Sequence, residues 1–402
     1  MPPKAIHRRN QTALQGKSLK SLLLQTIAYH GSKFQDLLSY SSTHEKSAIR
    51  PITVIYFLDW VFLIMFTGAV TGPLFDAGYF RALITVGTFM VPLGLFMTSI
   101  SSKFWHFILA QGFCVGLGAG TLFVPAIAIL PQYFIEKRGL AIGIVSAGSS
   151  VGAVLYPIIF ERLQENIGFR WSARSLGFIA FGTCCISQSI MRVRFTPSDR
   201  RRLVQFSAFK EPKYLVFCFA LFMGYLSFYN FFFYVQSYAT DTGIVGHELG
   251  LYLLSMLNAG SAFGRVIPNL IADHIGPLNV IAPVSTITTL MAFAWIGTHN
   301  APGIIVLGIL YGCASGGFMA LPPLVLSALA EDDRHVGTRL GMSFAVASIG
   351  ALIGTPIGGA IINDTKTYLG VQLFTACCLI TASVAFIALR FAQTGPRILT
   401  RV

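Results

Sequence analysis

The sequence predicts an all-α polytopic membrane protein built from two repeated helical halves. Its 402 residues are 54% hydrophobic and only 11% charged, whereas soluble domains carry about 25% charged residues. Hydrophobic runs of about twenty residues recur from position 52 almost to the end, and each could cross a bilayer core of roughly 30 Å. Glycines and an aspartate of the first half return in the second at a nearly constant spacing.

Eleven runs follow in order: 52–75, 82–101, 104–131, 139–161, 172–191, 213–238, 248–272, 279–298, 302–330, 338–362 and 369–392. The first contains one charge, Asp59, about two turns in. The third opens on Lys103, Trp105 and His106, which suit a membrane interface, where amphipathic rings anchor a helix. The fourth begins after Glu136, Lys137 and Arg138 and is studded with Gly, Ala and Ser. Such a helix is weak in water, where each Gly costs about 1 kcal/mol relative to Ala. In lipid the same small residues let helices pack backbone to backbone. The sixth run is dense in aromatic residues from Phe228 to Tyr234, which must face lipid or packing, with Asn230 among them. The seventh carries Arg265 near its middle.

The seven cysteines all fall inside these runs without metal-ligand spacing, so they read as small apolar fillers, and no metal or cofactor is expected. A net charge of +13 could suggest nucleic acid, but the basic residues sit in loops without interleaved stacking aromatics. Paired His and Asp, a Cys–His constellation and a phosphate loop are all missing from the runs, which argues against an enzyme.

The repeat organises the chain. GFCVGLGAGTLFVP (112–125) aligns with GILYGCASGGFMALP (308–322), pairing Gly112, Gly116 and Gly120 with Gly308, Gly312 and Gly316 at an offset of 196. Asp76 is echoed by Asp273 at 197, and RGLAIGIVSAGSSVG by TRLGMSFAVASIGALIG at near 200. The implied units are a basic segment 1–50, a half 51–191, a linker 192–212, a second half 213–393 and a tail 394–402. Seven Lys or Arg between 192 and 213 place the linker in the cytoplasm. Lys and Arg on that side number fifteen against five opposite, leaving aside residues 1–50 and Arg265. Parallel repeats of this kind, with a site between the halves near the midplane, are a transporter architecture, and a seven-helix receptor would not show the duplication.

At this point the residues resemble a known family, the monocarboxylate transporters of the major facilitator superfamily, in particular their fungal branch. Tyr133, Phe134, Lys137, Arg138, Leu140, Ala141, Gly143, Ala147, Gly148 and Gly152 match the signature of that family's fifth helix. The sequence departs from it at Glu136 and Val145. GPLFDAGYFR, with Gly72, Asp76, Gly78 and Arg81, resembles the superfamily's loop between helices 2 and 3, and NAGSAFGRVIPNLIAD resembles the fungal eighth helix. The resemblance implies a twelve-helix major facilitator fold that moves a small organic anion, with protons as a second partner, by alternating access.

It also implies site residues. Arg265 matches the arginine that pairs with the substrate carboxylate, and its planar fork suits that role. An intramembrane charge is costly unless it faces a cavity or partner. The competing reading has Arg265 paired with carbonyls, holding the halves together. Ser261, Asn230 and Asn258 join it as substrate-binding candidates. Asp76 with Arg81, and Asp273 with Asn279, would form latches at the cytoplasmic ends of the halves, beside Lys137 and Arg138.

Two departures bear on coupling. Ser261 stands where family members place an acid that takes part in proton transfer, which favours facilitated diffusion. The first helix would fall near 17–41, a stretch too polar to span a bilayer. Residues 1–50 hold eight Lys or Arg and no acid before Asp36. They read as a presequence, an interfacial amphipathic helix, or the place where a first helix has been lost. Asp59 is then a substitute proton carrier, a partner for Arg265, or an interfacial residue. The expectations for function are accordingly a carrier of a small organic anion, an exporter or facilitative carrier of a larger metabolite, or a family member that no longer transports. It would sit in the plasma membrane or an organelle membrane.

Overall fold

The computed structural model describes residues 49–134, 137–191, 206–329 and 336–395. Those residues are helical, with no strand among them. In order they form α1 (Ile49–Asp76), α2 (Phe80–Ile100), α3 (Phe104–Phe107), α4 (Gly116–Ala128), α5 (Arg138–Ile190), α6 (Pro212–Asp241) and α7 (His247–Ile275). Then come α8 (Pro277–Ala294), α9 (Ala301–Ala320), α10 (Pro322–Leu329), α11 (Val336–Thr365) and α12 (Leu369–Thr394). A π-helical stretch, Ile108–Val115, joins α3 to α4 without a break. Eight helical segments among the described residues are long and apolar enough to cross a membrane, and Val61–Asp76 is a shorter apolar one. Large apolar side chains such as Phe178, Ile186, Phe263 and Val384 stand exposed on the outside of the bundle. That surface suits lipid, which solvates apolar side chains as well as a core does.

One boundary differs from expectation. Residues 162–171 do not form a loop between two runs, because helix continues on both sides of a single turn at Gly168, where φ is +74°. A residue without a Cβ takes that conformation at no steric cost, so α5 is two helical limbs joined at one glycine. The first 48 residues, including the slot near 17–41, lie outside the described residues.

The repeat is visible in the packing. α1 corresponds to α7, and the first limb of α5 to α11. Each half sends one helix across to the other: α1 packs along α11, and α5 along α7. Glycines permit both approaches. A Cβ on Gly341 would overlap the carbonyl oxygen of Gly68, and one on Gly72 that of Gly337. At the other crossing a Cβ on Gly143 would sit 2.6 Å from the Arg265 carbonyl oxygen. Within the second half, Gly260 and Gly264 of α7 lie against the α9 backbone at Ile309 and Cys313. Gly312 and Gly316 of α9 return the contact at Leu257 and Ser261.

The aromatic residues of α6 from Phe228 to Phe233 pack rather than face lipid. Phe228, Tyr229, Phe231, Phe232 and Phe233 are all buried. Phe231 stacks on Tyr311 of α9 at 3.9 Å between ring centroids, and Trp295 meets Phe231 edge-on at 5.0 Å. Such pairs add about 0.5–1.5 kcal/mol each beyond the area they bury. The cysteines among the described residues, all seven, are free thiols.

Candidate functional site

α7 carries a polar stripe. Asn258, Ser261, Arg265 and Asn269 follow at helical spacings that place them on one face. Asn258, Ser261 and Asn269 are buried and Arg265 is half-buried. Facing them on α5 are Ser146, Ser149 and Ser150, again at spacings of one face. The guanidinium spans the gap. Its Nε donates to Ser261 Oγ at 3.3 Å, and one terminal nitrogen donates to Ser149 Oγ at 2.9 Å and to the Ser146 carbonyl at 3.2 Å. The other approaches Met319 Sδ of α9 at 3.5 Å. Ser150 donates to Ser261 at 3.4 Å. Asn258 and Asn269 turn back on their own helix, donating to the carbonyls of Leu254 and Arg265. Arg265 therefore sits at a seam between the two halves, bonded to hydroxyls of both α5 and α7 and to the α5 backbone.

About 12 Å further along α7, at 1.5 Å per residue, the seam ends in a charged tie. The Asp273 carboxylate accepts the backbone N–H of Gly139 at 2.6 Å and of Leu140 at 2.8 Å. These are the first turn of α5, whose N–H groups have no partner within the helix. Asp76, at the end of α1, does the same for α11. Its Oδ2 accepts the N–H of Thr338 at 2.6 Å and its hydroxyl at 2.7 Å. Each carboxylate thus caps a helix of the other half, where hydrogen bonding and the helix dipole both favour negative charge.

These placements differ from the pairings the sequence suggested. Arg81 is exposed and lines a cleft of about 250 Å³ with Thr85, Gln188 and Ser189. Asn279 donates to the Ile275 carbonyl and accepts from Arg390 Nε at 2.8 Å. The two aspartates were legible, but the donors they meet include main-chain N–H groups, which no residue type marks. Lys137 is exposed, and Arg138 donates to the Phe134 carbonyl at 3.2 Å. Asn230 is fully buried with neither amide atom hydrogen-bonded, and a Cβ on Gly358 of α11 would lie 3.0 Å from its Oδ1. Asp59 lies on α1, and its side chain is outside the described residues. The serines of α5 went unnoticed in the sequence, because in a Gly-rich helix they read as packing residues. Their one-face spacing opposite an arginine was the available signal.

A profile of the Major Facilitator Superfamily matches residues 38–296 and 217–399. The chain belongs to that superfamily. This carrier is 39% identical to the MFS-type transporter dbaD of Emericella nidulans over 75% of its length and 68% of the relative's. It is 38% identical to the aspyridones efflux protein apdF of the same organism, over 80% of this chain and 66% of that one. It thus spans about two thirds of the length of these two curated relatives. A further relative is the agnestins efflux protein of Paecilomyces divaricatus, 33% identical over 81% of this chain and 75% of that one. Among solved structures, the E. coli fucose:proton symporter superposes with a TM-score of 0.69 at 15% identity, covering 93% of the carrier and 98% of that chain. The human organic anion transporter MFSD10 gives 0.70 at 13%, covering 97% and 100%. The fold is that of a multi-pass transporter, and the chain is not an enzyme.

Proposed function

We propose that this chain is an exporter of an organic metabolite larger than a lactate-sized acid, moving it outward by alternating access. The observation that carries the reading is its 38% identity, over 80% of its length, to a protein named for aspyridones efflux; the agnestins efflux protein supports it as a second case. Outward movement of this kind fits a plasma-membrane location.

The seam supplies a mechanism. With the cytoplasmic ends tied by Asp76 and Asp273, Arg265 bonds to serines of α5. Parting of the halves from the cytoplasmic side separates α5 from α7 and withdraws those acceptors. The guanidinium then stands in the opening with its donors turned to the incoming solute, and an acidic group on that solute replaces the serines. Re-formation of the Ser146 and Ser149 bonds competes with the solute and favours release on the outer side. Ser261, rather than an acid, accepts from Arg265 Nε, and this supports facilitated over proton-linked movement. A small monocarboxylate is the second reading, and it rests on Arg265 alone.

The test is transport in inside-out vesicles containing the full chain, comparing labelled lactate with labelled 2-naphthoate, with and without a proton gradient. Saturable accumulation of the naphthoate but not of lactate is expected. Arg265→Ala should lower it by about 10²-fold, since a buried charge-assisted contact is worth about 2–4 kcal/mol to the bound solute. Arg265→Lys should fall between, because a point charge replaces a fork. Lactate transported in preference would restore the monocarboxylate reading, and flat traces for both from folded protein would refute transport of organic acids.

A further inference from the structure

At the end of the bundle opposite the Asp76 and Asp273 ties lies a cavity of about 900 Å³. It is bounded by the outer ends of α6, α8 and α11 and the start of α12. That volume is at the upper end of the range for organic-ligand sites, about 300–1,000 Å³. Nothing in the seam around Arg265 contributes to it.

Its lining is uneven. The half-buried ring of Tyr368 stands edge-on to Tyr238 at 5.5 Å, and Ile296 and Ile362 extend an apolar wall. Its charges are not paired with one another. Asp241 is engaged by the Tyr368 hydroxyl at 2.5 Å. Lys366 is exposed and held at the rim by an uncommon left-handed backbone, φ +53°, and by a 3.3 Å bond from its Nζ to Asn363 Oδ1. No carboxylate lies within ion-pairing distance of it among the described residues. His299 shares Nδ1 with the Tyr238 hydroxyl at 3.1 Å, which itself donates to the Thr298 carbonyl. Lys366 also complements the C-terminal dipole of α11, but that role alone requires neither a cavity nor an aromatic wall beside it.

We propose that this vestibule is a second binding site of the carrier, an exit station for an amphipathic organic anion: an apolar or aromatic body against Tyr368 and the isoleucines, with its acidic group on Lys366. As an exit station it rests on the export reading above, although binding to it does not. A solute leaving Arg265 would be drawn to a second cation before reaching bulk solution. The vestibule's volume admits a body much larger than lactate.

Equilibrium dialysis of the purified full chain against 2-naphthoate and its neutral counterpart 2-naphthamide tests this. Naphthoate is expected to bind saturably and about tenfold more tightly than the amide. In an Arg265→Ala background, which removes the seam's cation, Lys366→Gln should erase that tenfold preference while leaving amide binding unchanged, and Lys366→Arg should retain it. Arg265→Ala should leave a naphthoate site of undiminished affinity, which separates this proposal from the transport reading. Quenching of Trp295, buried 5.9 Å from the Tyr238 ring, should accompany binding and vanish with it. Naphthoate affinity indifferent to Lys366→Gln in the Arg265→Ala background, binding lost with Arg265→Ala, or no saturable binding to the wild-type chain would each overturn the proposal.

Discussion

Replacing Asp273 by Ala is expected to open the end of the carrier at which Asp76 and Asp273 tie the halves. The substitution removes two charge-assisted bonds, to the N–H groups of Gly139 and Leu140, each worth about 1.5–3 kcal/mol. Those N–H groups are buried against the other half only while the halves touch there, and once parted they find water. The lost energy therefore falls on the closed state. Taking about 2 kcal/mol as the surviving difference, the balance shifts roughly 30-fold towards opening. Hydrogen exchange followed by mass spectrometry reads this directly. The first turn of α5 should exchange about 30-fold faster, and so should the first turn of α11, whose own cap on Asp76 is untouched. A response confined to α5 would mean local fraying and would sink the gating role. Asp76→Ala should act reciprocally. The two caps lie on different helix pairs, so the double variant should show the sum of the two free energies.

The second large effect concerns stability. Gly264→Ala should destabilise the fold by about 1–3 kcal/mol, the usual cost of overpacking. Ala favours helix over Gly by about 1 kcal/mol, but a Cβ at this position overlaps the carbonyl oxygen of Cys313, a main-chain atom that cannot rotate away. α7 and α9 would have to move apart along their whole contact. Gly308→Ala is the matched control on α9, since a Cβ there meets nothing within 4 Å. It should leave the melting temperature unchanged or raise it. Equal melting temperatures for the two variants in detergent would show that the crossing tolerates the added carbon.

The spans and the twofold repeat were legible because lipid imposes length and apolarity on every helix alike, and those properties survive in composition. The offset of Asp76 and Asp273 pointed to equivalent roles. What they bind was not legible, since a helix N-terminus offers peptide N–H groups whatever its sequence. Gly168 shows a similar limit: a single residue turns the chain where a loop of ten was expected. Ser146 and Ser149 were hidden by their neighbours, because serine among glycine and alanine serves close packing as well as hydrogen bonding. The outer vestibule draws on three stretches far apart in the chain, 238–242, 296–299 and 362–372, so no single local pattern could announce it.

The two crossings between the halves are built from unlike materials, and that bears on how such carriers change cargo over generations. Along α1 and α11, Gly68, Gly72, Gly337 and Gly341 set backbone against backbone. Nearly any mutation there costs the fold. Along α5 and α7 one face is glycine and the other presents Arg265 amid exchangeable hydroxyls. Drift at 146, 149, 150 or 261 can reshape what the arginine meets while the architecture stays intact. A lineage of such proteins can therefore diversify its chemistry on one flank and keep the opposite flank frozen, so variation among paralogues should gather on α5 and α7 and be sparse on α1 and α11.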